Sequence, residues 1–232
     1  MEGKKKSSFW HNWKTWVLLA VILLVLLSLV FLAMRAFRWH RDQDKTRLLT
    51  LVDRDHPVED DYNVEFTLLG DGQMVDSRCI DDLEAMLAAC RGAGGSPEIT
   101  ASFRTWGAQE LLYEDRLAEL IEGGCSEEQA AARLEGVVEK PGYSEHQLGL
   151  AVDIGELGSE LPAGQQGDTP TLRWLAEESW RYGFILRYPE NKTAITGIEY
   201  RPWHFRYVGP EAAAQIRELD LSLEEYLEMF FS

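Results

Sequence analysis

Apolar and polar positions follow two different patterns along this chain. Residues 16–34 read WVLLAVILLVLLSLVFLAM, an apolar run in which Ser28 is the single polar side chain and no charge appears. At ~1.5 Å rise per residue, a helix of that length reaches nearly across a ~30 Å hydrocarbon core. Beyond residue 50 the pattern breaks into short periods. Residues 51–76 contain Pro57 and a brief alternation at Val64-Glu65-Phe66-Thr67-Leu68, which predicts a loop with one short strand. Residues 80–91 set Ile80, Leu83, Leu87 and Cys90 at helical spacing, with acids in the first turn and Gly92, Gly94, Gly95 and Pro97 beyond the end. Residues 99–103 read as a strand, and 106–122 as an amphipathic helix stopped by Gly123-Gly124. Ser126 caps a third helix, where Glu128 or Gln129 can close a capping box. Residues 150–154 form a short apolar strand, 158–170 a surface loop, and 171–182 a helix ended by Gly183. Residues 184–188 and 203–208 read as strands, and Pro210 and Ser222 open two terminal helices. Short strands mixed irregularly with helices predict an α+β fold, a small antiparallel sheet flanked by helices, rather than a doubly wound sheet.

The apolar run has two readings. Trp10, Trp13 and Trp16 precede it and Phe37 and Trp39 follow it, as interfacial anchors would. A cleaved signal peptide normally has an apolar region of only ~7–15 residues followed by small side chains, whereas Arg35 and Phe37 stand here. The expected organisation is therefore a tail over 1–15, a transmembrane signal anchor over 16–34, a juxtamembrane linker over 35–50 and a domain over 51–232. Basic residues lie on both sides of the span: Lys4, Lys5, Lys6 and Lys14 before it, and Arg35, Arg38, Arg41, Lys45 and Arg47 after it. The positive-inside rule therefore leaves the orientation open.

Charge sharpens that division. The 232 residues carry a net charge of −16. Residues 1–50 hold 9 basic and 3 acidic side chains, and the remainder 14 and 36. An acidic bulk argues against nucleic acid as a partner, since phosphate binding needs a concentrated basic face. The 45% hydrophobic and 11% aromatic content excludes a wholly disordered chain. Cys79, Cys90 and Cys125 make an odd number with no metal-type spacing. One bridge with one free thiol and three free thiols both fit. If 80–91 is one helix, Cys79 and Cys90 sit ~16 Å apart along it, too far to bridge.

Candidate chemistry centres on two histidines. His146 lies in YSEHQLGLAVDIG, residues 143–155, where Asp153 falls inside an apolar strand. A carboxylate among Leu150, Ala151, Val152 and Ile154 must be paired or bind a metal, because burying it alone costs several kcal/mol. His204 lies in the aromatic strand PWHFRYVG, residues 202–209. Two imidazoles and one carboxylate make a tripodal zinc site with a fourth position left for water. By residue type alone, hydrogen-bonded core histidines and a turn-capping aspartate describe the same set equally well.

The run Ser144-x-His146-x-x-Gly149-x-Ala151-x-Asp153, followed by Trp203-His204-x-Arg206-Tyr207-Val208-Gly209, resembles the zinc D-alanyl-D-alanine carboxypeptidases of the VanY type. Those enzymes share a fold with the lysostaphin-like and Hedgehog-like metallopeptidases. Leu51-Val52-Asp53-Arg54-Asp55-His56-Pro57 resembles the opening segment of the family. Ser102-Phe103-Arg104-Thr105 with Gln109 resembles its substrate element. Tyr182-Gly183-Phe184-Ile185-Leu186-Arg187-Tyr188-Pro189 and Lys192-x-x-Ile195-Thr196-Gly197 resemble the run before its last strand. The likeness spans about residues 48–228. It implies His146, Asp153 and His204 as ligands of Zn2+, and Arg104 as the group that binds substrate and steadies the scissile carbonyl oxygen. It also implies a cleft lined by Gln109, Ser144, Tyr188 and Trp203. The implied protein is a membrane-anchored, extracytoplasmic carboxypeptidase that removes the terminal D-alanine of peptidoglycan stem peptides. An endopeptidase acting on cross-links would differ in cleft shape alone.

One position departs from the family. Three residues before the last histidine the family carries a glutamate, the general base, and this chain carries Arg201. Arginine accepts no proton at ordinary pH. Glu199 could substitute if a bulge shifted it, since strand residues two apart lie ~6–7 Å from each other. The metal could instead act without a positioned base, with ~10²–10⁴-fold less help. In the third reading, the domain binds peptidoglycan stems without turnover.

Overall fold

A computed structural model describes residues 6–59, 62–63, 65–70, 72–159 and 167–231, with side chains described outside 6–15 and 36–46. Residues 1–5, the side chains of Trp10, Trp13, Phe37 and Trp39, Val64, and positions 160–166 of the surface loop lie outside the described residues. The chain divides into two compact units, Met1–Arg47 and Leu48–Ser232.

The first unit is built on α1 (Lys6–Leu48), which contains no glycine or proline to break it. Within it, Trp16–Arg35 is fully exposed and is long and apolar enough to cross a membrane; a signal sequence near an N-terminus has the same length and composition.

In the second unit, β1 (Phe66–Leu68) and β2 (Met74–Asp76) form a hairpin, followed by α2 (Ile80–Gly92) and β3 (Pro97–Ala101). Then come α3 (Trp106–Glu122), α4 (Glu127–Leu134), a 3-10 turn at Glu145–Leu148 and β4 (Ala151–Glu156). α5 (Pro170–Glu178), β5 (Phe184–Leu186), α6 (Thr193–Thr196), β6 (His204–Tyr207), α7 (Pro210–Leu219) and α8 (Leu223–Phe231) complete the domain. The four strands β3, β4, β6 and β5 make an antiparallel sheet in that order. The helices start where local chemistry dictates. Thr105 accepts from the Ala108 N–H, Ser126 and Gln129 form a full capping box, and Thr169 with Pro170 opens α5.

Strand alternation gives the sheet two unlike faces. Val152, Ile154, Phe184, Phe205 and Tyr207 pack into the main core with Leu83, Met86 and Cys90 of α2 and Leu172 and Leu175 of α5. Asp153, His204 and Arg206, at the intervening positions, belong to the other face. A second cluster of Leu49, Ile185, Val208, Ala213, Ile216, Leu223 and Tyr226 seats the two terminal helices.

Three expectations shift. The strand expected at 99–103 ends at Ala101, because the Phe103 N–H turns to the Met74 carbonyl at 2.9 Å. The helix expected over 171–182 becomes α5 followed by a separate 3-10 turn at Ser179–Tyr182. The expected boundary at residue 51 becomes a compact unit opening at Leu48, where Leu49 is core and Arg206 donates to the carbonyls of Leu48 and Thr50 at 3.0 and 2.9 Å. All three cysteines are free; Cys79 and Cys90 are buried, and Cys125 is partly exposed.

Candidate metal centre

The ladder between β4 and β6 sets Asp153 directly opposite His204, which places the two side chains together on one face. His146 arrives from the 3-10 turn, which ends on Gly149 at φ +73°. A Cβ at Gly149 would lie 2.7 Å from the Phe66 ring and 3.1 Å from the Asp76 nitrogen, so both the left-handed backbone and the space demand glycine. His146 Nε2 lies 3.3 Å from Asp153 Oδ2, and His204 Nδ1 lies 2.8 Å from Asp153 Oδ1. The two imidazoles meet edge-on with centroids 5.0 Å apart. One donor atom from each of the three residues falls within 4.8 Å of the others.

Hydrogen-bond bookkeeping fixes which nitrogens face inward. His146 Nδ1 is 2.9 Å from the Ser102 carbonyl, which only accepts, so Nδ1 carries the proton and Nε2, beside Asp153, is left to ligate a cation. His204 Nε2 is 3.2 Å from the Glu145 carboxylate. Its Nδ1 also faces a carboxylate, Asp153, at 2.8 Å; a cation held at Nδ1 would leave the proton on Nε2, towards Glu145. Two imidazole nitrogens and a carboxylate oxygen thus converge with their outer nitrogens already engaged, a donor set that suits zinc.

Glu145 had no assigned role in the sequence reading. Its Oε1 accepts from Arg187 Nε at 2.7 Å and from Arg206 Nη1 at 3.0 Å, and all three side chains are almost fully buried. Burial opposes ionisation of Glu145, but the Arg187 and Arg206 guanidiniums prevail and hold its carboxyl well below the usual carboxylate range. Burial also opposes the charge on His204, which its hydrogen bonds to Asp153 and Glu145 outweigh, so its pKa is raised. For His146 burial prevails and the pKa is lowered. The local signal for Arg206 was available: two residues beyond His204 on a buried strand, it had to be paired.

The cleft side differs. Arg104 is tied through its N–H to the His146 carbonyl at 3.1 Å. Arg104 Nε, Gln109 Oε1 and Ser144 Oγ are buried and have no hydrogen-bond partner among the described residues. Gln109 anchors through Nε2 to the Glu139 carbonyl at 2.6 Å. The Tyr188 ring lies over His204, centroids 5.0 Å apart. Trp203, half-buried, packs against the main core. Glu199 is exposed in the loop before β6, off any strand, so the strand spacing that made it a substitute base does not apply.

Arg201 is held in place. Its Nη2 donates to the carbonyls of Gly136 and Val137 at 2.9 and 3.0 Å and to Glu139 Oε1 at 2.8 Å, and its guanidinium sits 5.3 Å from the Tyr188 ring centroid. Beside this wall opens a cavity of about 440 Å³, whose lining includes Glu139, Lys140, Tyr143, Arg187 and Tyr188. Its size falls within the range of small-ligand sites.

Residues 72–210 match the family model described as VanY, D-alanyl-D-alanine carboxypeptidase. The chain is 42% identical over 179 residues to a D-alanyl-D-alanine carboxypeptidase of Enterococcus faecalis, covering 77% of this chain and 65% of that relative, just under two thirds of its length. Among solved structures, a mutant vancomycin-resistance D,D-pentapeptidase VanY in complex with Zn(II) aligns at 42% identity with a TM-score of 0.71, over 78% of this chain and 99% of that one. VanYB in complex with D-alanine-D-alanine aligns at 42% identity and a TM-score of 0.72, over 78% and 98%. A match across more than half the chain, over the same strands that converge His146, Asp153 and His204, makes this protein a member of the VanY family.

Proposed function

We propose that this chain is a zinc-dependent D,D-carboxypeptidase that removes the terminal D-alanine from peptidoglycan stem peptides. The observation that carries this reading is the buried convergence of His146 Nε2, Asp153 and His204 Nδ1 in one domain with three buried polar atoms, at Arg104, Gln109 and Ser144, that have no partner among the described residues. The relative bound to D-alanine-D-alanine and the one bound to Zn(II) support the substrate and the cofactor.

His146, Asp153 and His204 hold the zinc, which when bound supplies Lewis-acid polarisation of a carbonyl and activation of water. Arg104 stays charged although burial lowers its pKa, with Asp153 and Glu139 opposing that fall. It grips the developing oxyanion or the terminal carboxylate with planar N–H donors. Gln109 and Ser144 offer an acceptor and a hydroxyl to the peptide backbone. The Tyr188 ring packs over His204 and would shield that side of the site from water. The exposed Trp16–Arg35 helix anchors the domain in a lipid bilayer on the side where the wall lies.

Arg201 favours a second reading, a receptor for stem peptides without turnover, because no carboxylate occupies that position. One experiment separates the two. The detergent-solubilised full chain is loaded with zinc, given a pentapeptide stem ending in D-alanyl-D-alanine, and assayed for free D-alanine and for peptide binding. Release that stops with a chelator establishes the enzyme; binding without release establishes the receptor. For the anchor, the chain should remain in the membrane pellet after alkaline extraction with its N-terminus intact, and a trimmed soluble product would contradict it.

A further inference from the structure

The side of His204 away from the cleft leads to an unbroken row of charged contacts. His204 Nε2 meets Glu145 Oε2 at 3.2 Å. Glu145 Oε1 meets Arg187 Nε at 2.7 Å. The far end of the Arg187 guanidinium meets both oxygens of Glu224, Nη1 to Oε2 at 3.0 Å and Nη2 to Oε1 at 2.7 Å. Glu224 belongs to the first turn of α8, the last helix of the chain. A second arm runs from Glu145 through Arg206 to the carbonyls of Leu48 and Thr50, where the domain begins. The main core lies on the opposite face of the sheet, so these buried charges do not simply fill space there.

From this row we infer that Glu145, Arg187 and Glu224 are positioning residues for the metal centre, through which α8 fixes the ring orientation and tautomer of His204. The inference rests on the zinc reading but not on turnover. Glu145 accepts the Nε2 proton, so Nδ1 remains the ligand atom. Arg187 holds Glu145 in register, and its two-sided fork reaches Glu224, a geometry that a lysine ammonium could not reproduce. Removing any link lets the imidazole rotate or exchange tautomers while His204 itself stays in place.

The test uses the full chain in detergent micelles and zinc itself as the probe. Zinc affinity is measured by competition with a chromophoric chelator, well below the melting temperature, for the wild type and for Glu145→Gln, Arg187→Lys and Glu224→Gln. Glu145→Gln keeps the shape and should weaken zinc binding about 10–100-fold. Arg187→Lys should lie between it and Glu224→Gln, which should weaken binding about 3–10-fold, the lower part of that range and below, because its link is two contacts removed. Nitrogen-15 spectra of the zinc-loaded wild type should show His204 metallated at Nδ1 and protonated at Nε2, a signature that mere packing would not set. Folded Glu145→Gln with unchanged zinc affinity overturns the inference, as does metal on His204 Nε2. If Glu145→Gln fails to fold, Glu224→Gln decides through the same measurement, and unchanged affinity there rejects the role of α8. A wild type that binds no zinc would instead reject the zinc reading itself.

Discussion

Two sets of buried polar groups are built on opposite principles. Behind His204, buried charge is matched: Glu145 against Arg187 and Arg206, Arg187 against Glu224, Arg206 against two carbonyls. Elsewhere in the domain, three buried polar atoms, at Arg104, Gln109 and Ser144, have no hydrogen-bond partner among the described residues. A buried polar group without a partner costs about 1–3 kcal/mol. A ligand that hydrogen-bonds to them would recover that cost. Matched polarity holds His204 still, and unmatched polarity leaves hydrogen-bonding capacity unused.

That contrast can be broken most severely at the ligands themselves. Asp153→Ala removes the residue that both imidazoles face, and should reduce zinc binding and D-alanine release below detection by chelator competition and product assay. Next in size is the wall. Arg201→Glu alone would set a carboxylate against Glu139, so the cleaner variant joins it to Glu139→Gln. In turnover assays that pair should raise kcat by ~10²–10⁴-fold if a positioned base is what the cleft lacks. No gain would mean that position 201 does not face the reacting water.

Smaller effects sharpen the contrast by separating stability from binding. Glu145→Ala leaves two buried guanidiniums without their shared acceptor and should destabilise the domain by about 3–5 kcal/mol in denaturant titrations. Arg104→Ala should cost about 10²–10³-fold in kcat while leaving the melting temperature nearly unchanged. A large fall in melting temperature for Arg104→Ala would place it in the matched set instead.

Acid gives the gentlest probe. The Glu145 carboxyl is held below its unfolded value, so the unfolded chain binds the extra proton first as pH falls. The stability it contributes is complete above about pH 4.3 and is lost progressively below it. Zinc-free wild type should therefore unfold more readily as pH drops below ~4, and Glu145→Gln should show a flatter acid limb.

Much of this was legible in the sequence where the cause is local. Ser126 with Gln129 marks a helix start within four residues, and α4 appears where that cap predicts, while α3 follows the amphipathic pattern over 106–122. The convergence of His146, Asp153 and His204 was legible because a carboxylate in an apolar strand and two histidines in unusual runs needed a common explanation. The positioning network was not, since Arg187 finds Glu145 42 residues away and Glu224 37 residues away, with no period to connect them. The placing of Glu199 was not legible either: the segment before β6 is a loop after Gly197 at φ +69°, and strand geometry begins only at His204. Trp203, in the turn before that strand, is half-buried against the main core.

The cysteines carry a practical consequence. Cys79 is buried with its thiol pushed up to about 12, and Cys90 is buried at the far end of the same helix with its thiol also pushed up. Thiolate is the species that alkylating reagents attack, so both should stay silent towards a maleimide in the folded state. Cys125, in the turn between α3 and α4, is the partly exposed one. The natural sequence therefore already offers a single-site handle for a fluorophore or spin label, with the two buried thiols serving as a built-in alarm for unfolding.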